Sequence, residues 1–226
     1  AAVRDVGRVL DMSYKFCDGI SKLIPNKPGV SVSLQLPPAD RKKDDKTVYS
    51  SDEPILAERE AEVGLCSAPA GEAVREVRVI DPATMRRSER GSGSNTRFIC
   101  DILPHDDPTA DHLLVVEVIT PAGHSSSYPP HKHDMEQPPI ETQLEETYYH
   151  RVNPPQGYVL QRVYTDDRSL DETLAAEDHD VVMVPRGYHP VTVPHGYTSY
   201  YFNVMAGPRR EWVFKNDPAH AWIVKS

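Results

Sequence analysis

An all-β fold is predicted for this chain of 226 residues by three features of its sequence. The 21 prolines and 12 glycines cut the apolar positions into runs too short for most helices. Some runs alternate apolar and polar side chains with period two, most plainly Val30-Ser31-Val32-Ser33-Leu34-Gln35-Leu36. Others are β-branched or aromatic, and turn residues separate them at the spacing of a β-sandwich or barrel.

In chain order, Val3 to Leu10 reads as a strand or a terminal arm, and Val30 to Leu36 as a strand. Pro37 to Glu53 is polar and charged and reads as loop. From about Ala61 the pattern becomes dense. Strands are expected at Val77 to Ile80, Phe98 to Ile102, Leu113 to Ile119, Glu146 to Val152, Tyr158 to Tyr164, Val181 to Val184, Val191 to Val193 and Tyr200 to Met205. Ser169 to Ala176 reads as a short helical turn, with Ser169 as N-cap and Glu172 completing a capping box. His195-Gly196-Tyr197 fits a hairpin turn. Arg86 to Thr96 reads as a loop between two halves, which sets a boundary near residue 95: an N-terminal half over 1–95 and a C-terminal half over 96–226.

Composition narrows the function. The 34 acids against 25 Lys+Arg give a formal charge of −9, and phosphate binding needs the opposite field, so a nucleic-acid role is disfavoured. No apolar run approaches the roughly 20 residues that span a bilayer. No signal peptide is expected from the opening Ala1-Ala2-Val3-Arg4-Asp5, which lacks an apolar h-region. Cys17, Cys66 and Cys100 are odd in number and lie outside any C-x-x-C spacing, which fits reduced thiols in a cytoplasmic protein.

The chemistry-bearing residues lie in three places. His131-Lys132-His133 puts two imidazoles on one face of an extended strand. Glu145-Glu146-Thr147-Tyr148 opens a later strand, on which Glu146, Tyr148 and His150 share one face and Glu145, Thr147 and Tyr149 the other. His189 follows the strand Val181 to Val184 and the turn Pro185-Arg186-Gly187. Three imidazoles and one carboxylate would form an open divalent-metal site. Only one of Glu145 and Glu146 can face it. Glu146 and Glu145 are the two candidates for that ligand, and Glu141 a supporting acid. The other histidines, among them His105, His112, His179 and His220, have the setting of ordinary loop residues. Arg162 shares a strand face with Tyr164. It either holds a substrate carboxylate through its planar fork or pairs with Asp166 or Asp167.

The order H-x-H, then Glu, then a distant P-x-G-x-H is similar to the metal signature of the cupin barrels. Asp134 to Ile140 stands as an insertion between the second His and the Glu. More specifically, Ser126-Ser127-Tyr128-Pro129-Pro130-His131-Lys132-His133-Asp134, Leu144 to Arg151, Gln161 to Arg168, Val184 to Val191 and Tyr200 to Pro208 resemble the 5-deoxy-glucuronate isomerases of bacterial myo-inositol catabolism. The likeness covers about residues 62 to 226; residues 1–60 hardly share it, and Gln143 stands where the family has Tyr.

That resemblance implies two cupin-like (jelly-roll) β-barrels in one chain, the N-terminal one short or incompletely represented. It implies an aldose–ketose isomerisation of 5-deoxy-D-glucuronate to 5-dehydro-2-deoxy-D-gluconate. The implied metal ligands are His131, His133, Glu146 and His189, holding Zn, Mn, Fe, Ni or Co. Glu145, Tyr148 and Tyr164, with Glu141, are candidates for proton transfer. Arg162, Lys132 and Arg186 are candidates for the substrate carboxylate. The expected partner is a small sugar acid, with no nucleic acid and no membrane, and a homo-oligomer is left open. Cupins with this donor set also serve as dioxygenases or as sugar-binding proteins, so both remain alternatives.

Overall fold

A computed structural model describes Ser31–Val32, Thr47–Val48, Cys66, Ala68 and residues 78–225. Contacts divide the chain into two units, Ala1–Pro69 and Ala70–Ser226. In the first unit, β1 (Ser31–Val32) pairs in parallel with β2 (Thr47–Val48). β1 lies within the expected Val30 to Leu36 strand, and β2 within the segment read as loop. The run Val3 to Leu10 and Cys17 lie outside the described residues, as does most of the expected first barrel.

The second unit carries twelve further strands: β3 (Arg86–Arg90), β4 (Arg97–Leu103), β5 (Leu114–Thr120), β6 (Ser125–Ser126), β7 (His131–Lys132), β8 (Glu145–Asn153), β9 (Tyr158–Tyr164), β10 (Asp171–Glu177), β11 (Val181–Val184), β12 (Val191–Thr192), β13 (Thr198–Ala206) and β14 (Lys215–Asn216). Only short 3-10 turns interrupt them, at Pro82–Thr84, Gly93–Asn95 and Ala221–Lys225. No helix among the described residues is long and apolar enough to cross a membrane.

Two antiparallel sheets face each other, one of six strands in the order β11-β8-β13-β5-β4-β3 and one of four in the order β10-β9-β12-β6. The pair β14-β7 forms a separate ribbon. The expected period-two patterns become inner and outer faces. On β8, Glu146, Tyr148, His150 and Val152 are buried while Glu145 and Asn153 are exposed. On β9, Val159, Gln161 and Val163 are buried while Tyr158, Leu160 and Arg162 are exposed. Val116, Val118, Tyr148, Val152, Tyr201 and Met205 from the larger sheet pack against Val159, Val163, Ala176 and Val191 from the smaller. Each fully buried aliphatic or aromatic side chain contributes about 1.5–3 kcal/mol as an upper estimate. An exposed ion pair such as Arg162–Asp171 contributes about 0–1 kcal/mol, so the core and not the surface charge holds the sheets together. Polar links also cross the core, among them His150 Nε2 to Gln161 Oε1 at 3.0 Å.

Three expectations are corrected. Ser169 to Ala176 is no helix: β10 lies there and pairs with β9 along its whole length. Arg86 to Arg90 is no loop: it pairs with β4 as an edge strand whose five residues are all exposed, so no hydrophobic period marks it. Residues 78–80 take no regular structure where a strand was expected. The contact division falls at Pro69/Ala70, and β3 pairs with β4 across residue 95.

Candidate metal centre

Strand parity and one turn assemble the site. His131 and His133 flank the outward Lys132 at β7, Glu146 is the first inward residue of β8, and His189 follows the turn after β11. All four are buried. The metal-binding nitrogens of His131, His133 and His189 lie within 4.8 Å of one another. Ring centroids are 5.1 Å apart for His131–His189 and for His133–His189. Glu146 Oε2 sits 3.1 Å from His133 Nε2 and 2.9 Å from His189 Nε2.

Hydrogen bonding at the rear of each ring decides what the front offers. His133 Nδ1 faces Leu144 O at 3.1 Å, His189 Nδ1 faces Gly187 O at 2.8 Å, and His131 Nδ1 faces Pro129 O at 3.3 Å. A carbonyl only accepts, so each Nδ1 carries the hydrogen and a neutral ring presents the Nε2 lone pair to the cluster. Glu146 is turned the same way: Asn203 Nδ2 donates to its Oε1 at 2.6 Å and leaves Oε2 facing the imidazoles. His133 Nε2, His189 Nε2 and Glu146 Oε2 are buried without an aligned hydrogen bond, although they lie in contact. Converging buried lone pairs repel unless a cation sits among them, so the donor set fits a divalent ion.

The electrostatics favour an ionised Glu146 and a neutral His131, and raise His133. Burial pushes the Glu146 carboxyl up, but His189 and His133 outweigh it and hold the group well below the usual carboxylate range. Burial, then His189 and His133, push His131 well below the usual imidazole value. For His133, burial acts downward and Glu146 overcomes it.

The cluster opens on a cavity of about 440 Å³. His131, Glu146, Tyr148 and Asn203 form part of its wall, Ile99, Val116 and Val118 line it, and Arg90 and Arg97 also reach it. Tyr148 OH lies 3.0 Å from Ser127 Oγ. Burial first, and the Glu146 charge second, raise its phenol well above the ordinary value, so it stays protonated.

The other expected site residues lie elsewhere. Glu145 is exposed on the outer face of β8. Arg162 also faces outward: its side chain is 44% exposed, both fork nitrogens contact Asp171 at 2.7 Å, and its guanidinium stacks 4.5 Å from the Tyr164 ring. Gln161 and Val163 own the inner face there, which leaves Arg162 the outer one. Tyr164 donates to Asp217 at 2.7 Å, away from the cavity. Lys132 contacts Asp134 at 2.8 Å, Asp166 at 3.1 Å and Glu141 at 3.8 Å. Burial pushes Glu141 up. Arg186 is exposed and does not line the cavity. Sequence reasoning missed Asn203, Ser127, Arg90 and Arg97. Asn203 alternates with Tyr201 and Met205 on β13, and an amide between those two large side chains on the inward face was the signal for it.

Two facing antiparallel sheets with three imidazoles and a carboxylate on an inner wall define a cupin-type metal-site protein. The chain belongs to the KduI/IolB family, whose model matches residues 46–223. It is 54% identical over 188 residues to the 5-deoxy-glucuronate isomerase of Bacillus velezensis, covering 82% of this chain and 69% of that protein. It is equally identical over 187 residues to the enzyme of the same name from Halalkalibacterium halodurans, covering 81% and 69%. The crystal structure of an IolB-like protein from Salmonella typhimurium LT2 superposes with a TM-score of 0.66 at 56% identity. That match covers 68% of this chain, which spans 58% of that protein's length.

Proposed function

We propose that this protein is a metal-dependent aldose–ketose isomerase that converts 5-deoxy-D-glucuronate to 5-dehydro-2-deoxy-D-gluconate in myo-inositol catabolism. The observation that carries the reading is the set of unsatisfied His133, His189 and Glu146 donor atoms, clustered with His131, where Glu146 and His131 form part of the wall of a cavity. Its setting is a chain 54% identical to isomerases of that name. His131, His133, Glu146 and His189 hold the ion, and Zn, Mn, Fe, Ni and Co all suit them. Such an ion, when bound, supplies Lewis acidity to a carbonyl oxygen and the neighbouring hydroxyl oxygen of the sugar.

The chain's own residues do the rest. The three backbone carbonyls fix the imidazole tautomers, and Asn203 fixes the carboxylate. Tyr148 keeps its proton and donates a hydrogen bond to a substrate oxygen as negative charge grows there. Ile99, Val116 and Val118 exclude water, which strengthens each polar contact made inside. The volume lies within the ~300–1,000 Å³ typical of small-molecule sites. An isomerisation moves protons without net redox, so it requires no nicotinamide or flavin.

The test follows metal-loaded protein and 5-deoxy-D-glucuronate by NMR. Conversion is expected without any organic cofactor. Chelation should abolish it while the apolar core keeps the protein folded, and a divalent ion should restore it. Binding of the sugar without turnover would select a sugar-binding cupin, and oxygen uptake with a related diol would select a dioxygenase.

A further inference from the structure

Arg162, the arginine that sequence position favours as a carboxylate anchor, is already paired outside the cavity. Inside it stand two arginines without an acid among the described residues. Arg90 and Arg97 are directly opposite one another across β3 and β4, and both line the wall that also carries His131 and Glu146. Like charges opposed across an antiparallel pair repel. Here the repulsion is set in a half-buried place, because the Arg97 guanidinium is largely withdrawn from water. Burial pushes its pKa below the ordinary arginine value; Tyr201 acts against this and Arg90 with it.

The loop joining the two strands is shaped around Arg97. Arg97 Nη1 donates to Asn95 O at 3.0 Å and to Asn95 Oδ1 at 3.1 Å, which leaves the other edge of the fork without a described protein partner. Asn95 Nδ2 in turn donates to Tyr128 O at 3.2 Å. Gly91 has φ +83, and a Cβ there would collide with Asn95 O and come within 2.8 Å of Arg97 Nη1. Only glycine lets the chain turn this tightly around the guanidinium. Arg90 is fixed at its own end by stacking 5.7 Å from the Trp212 ring centroid.

We propose that Arg97, with Arg90 beside it, is the subsite for the carboxylate of the sugar acid. The metal cluster takes the carbonyl end of the same molecule. The free edge of the Arg97 fork offers two parallel N–H donors, the geometry that fits a carboxylate, and an anion there cancels the repulsion between the two arginines. The inference rests on the isomerase reading for its substrate, and it assigns specificity for an acid over the corresponding neutral sugar to β3 and β4.

The experiment measures kcat and KM of metal-loaded wild type, R97Q, R97K and R90Q. The substrates are 5-deoxy-D-glucuronate and 5-deoxy-D-glucose, in which a hydroxymethyl group replaces the carboxylate. R97Q should raise KM for the acid about 10–100-fold with unchanged metal content, and the acid-to-neutral ratio of kcat/KM should fall by a like factor. R97K should recover only part of the loss. Unchanged KM for the acid in R97Q overturns the proposal. Should R97Q fail to fold by circular dichroism, the exposed R90Q decides: a rise of about 3–10-fold in KM for the acid supports the subsite, and no rise overturns it. Failure of wild type to convert the acid sinks the isomerase reading alone. The subsite is then judged by calorimetric titration of D-glucuronate into wild type and R97Q. Binding at least about tenfold weaker in the variant supports it; equal affinity, or no binding by wild type, overturns it.

Discussion

Asn203 separates the identity of the metal ligands from their orientation. Its amide holds Glu146 Oε1 at 2.6 Å. Asn203→Ala should therefore weaken metal affinity about 10–100-fold in a chelator-competition assay while all four ligands remain present. An unchanged affinity would show that the two imidazoles alone aim the carboxylate. That His131 and His133 come together was legible in the sequence because parity on a strand is rigid: the two rings must point one way and Lys132 the other. Arg162 was not legible. Both alternating sets of β9 mix polar and apolar residues, Leu160 and Arg162 on one face and Gln161 and Val163 on the other, so composition could not say which face was inner. Packing of this sheet against the larger one settled it: Gln161 and Val163 are buried, Leu160 and Arg162 exposed.

At the level of elements, the turn between β11 and His189 carries more strain than its length suggests. Gly187 has φ +93, and an added Cβ would lie 2.5 Å from Tyr164 O. The same residue's carbonyl is the acceptor that sets the His189 tautomer. Gly187→Ala should cost about 1–3 kcal/mol of stability by denaturant titration and should also lower metal occupancy, because the His189 ring loses its rear support. Full occupancy with reduced stability would mean that the turn relaxes without moving the imidazole. Two strands explain what the sequence hid at this scale. Ser169 to Ala176 carries a local capping-box pattern, yet the open edge of β9 supplies seven paired positions, and tertiary pairing overrides a weak helical preference. β3 is polar throughout and has only one neighbour, β4, so no apolar period could reveal it. The cavity arginines were missed for that reason: Arg90 lies on an unmarked strand.

For the whole molecule, the buried His150–Gln161 link across the core sets a pH limit. Burial holds His150 below its ordinary value of 6.5, and its ring is neutral between the sheets. The unfolded chain therefore binds a proton that the folded chain refuses in the window below about pH 6.5. His150 thus contributes stability that is complete above that pH and is lost as pH falls toward the lower folded-state value. Metal-free protein should show a denaturant midpoint that declines from pH 7.5 to pH 5.5, and His150→Gln should flatten that slope. An equally steep slope in the variant would assign the decline to other groups.

The alternation His131, Lys132, His133 on a strand paired over only two positions has one more result. The two rings serve the cluster and the ammonium serves Asp134, Asp166 and Glu141 on the opposite side. A slip of β7 by a single residue would drive an ammonium in among the imidazoles and strand the carboxylates without their counter-ion. So short a ribbon has little backbone pairing to enforce its alignment. Charge does the proofreading instead: misthreaded forms are rejected during folding because each side of the strand accepts only its own chemistry.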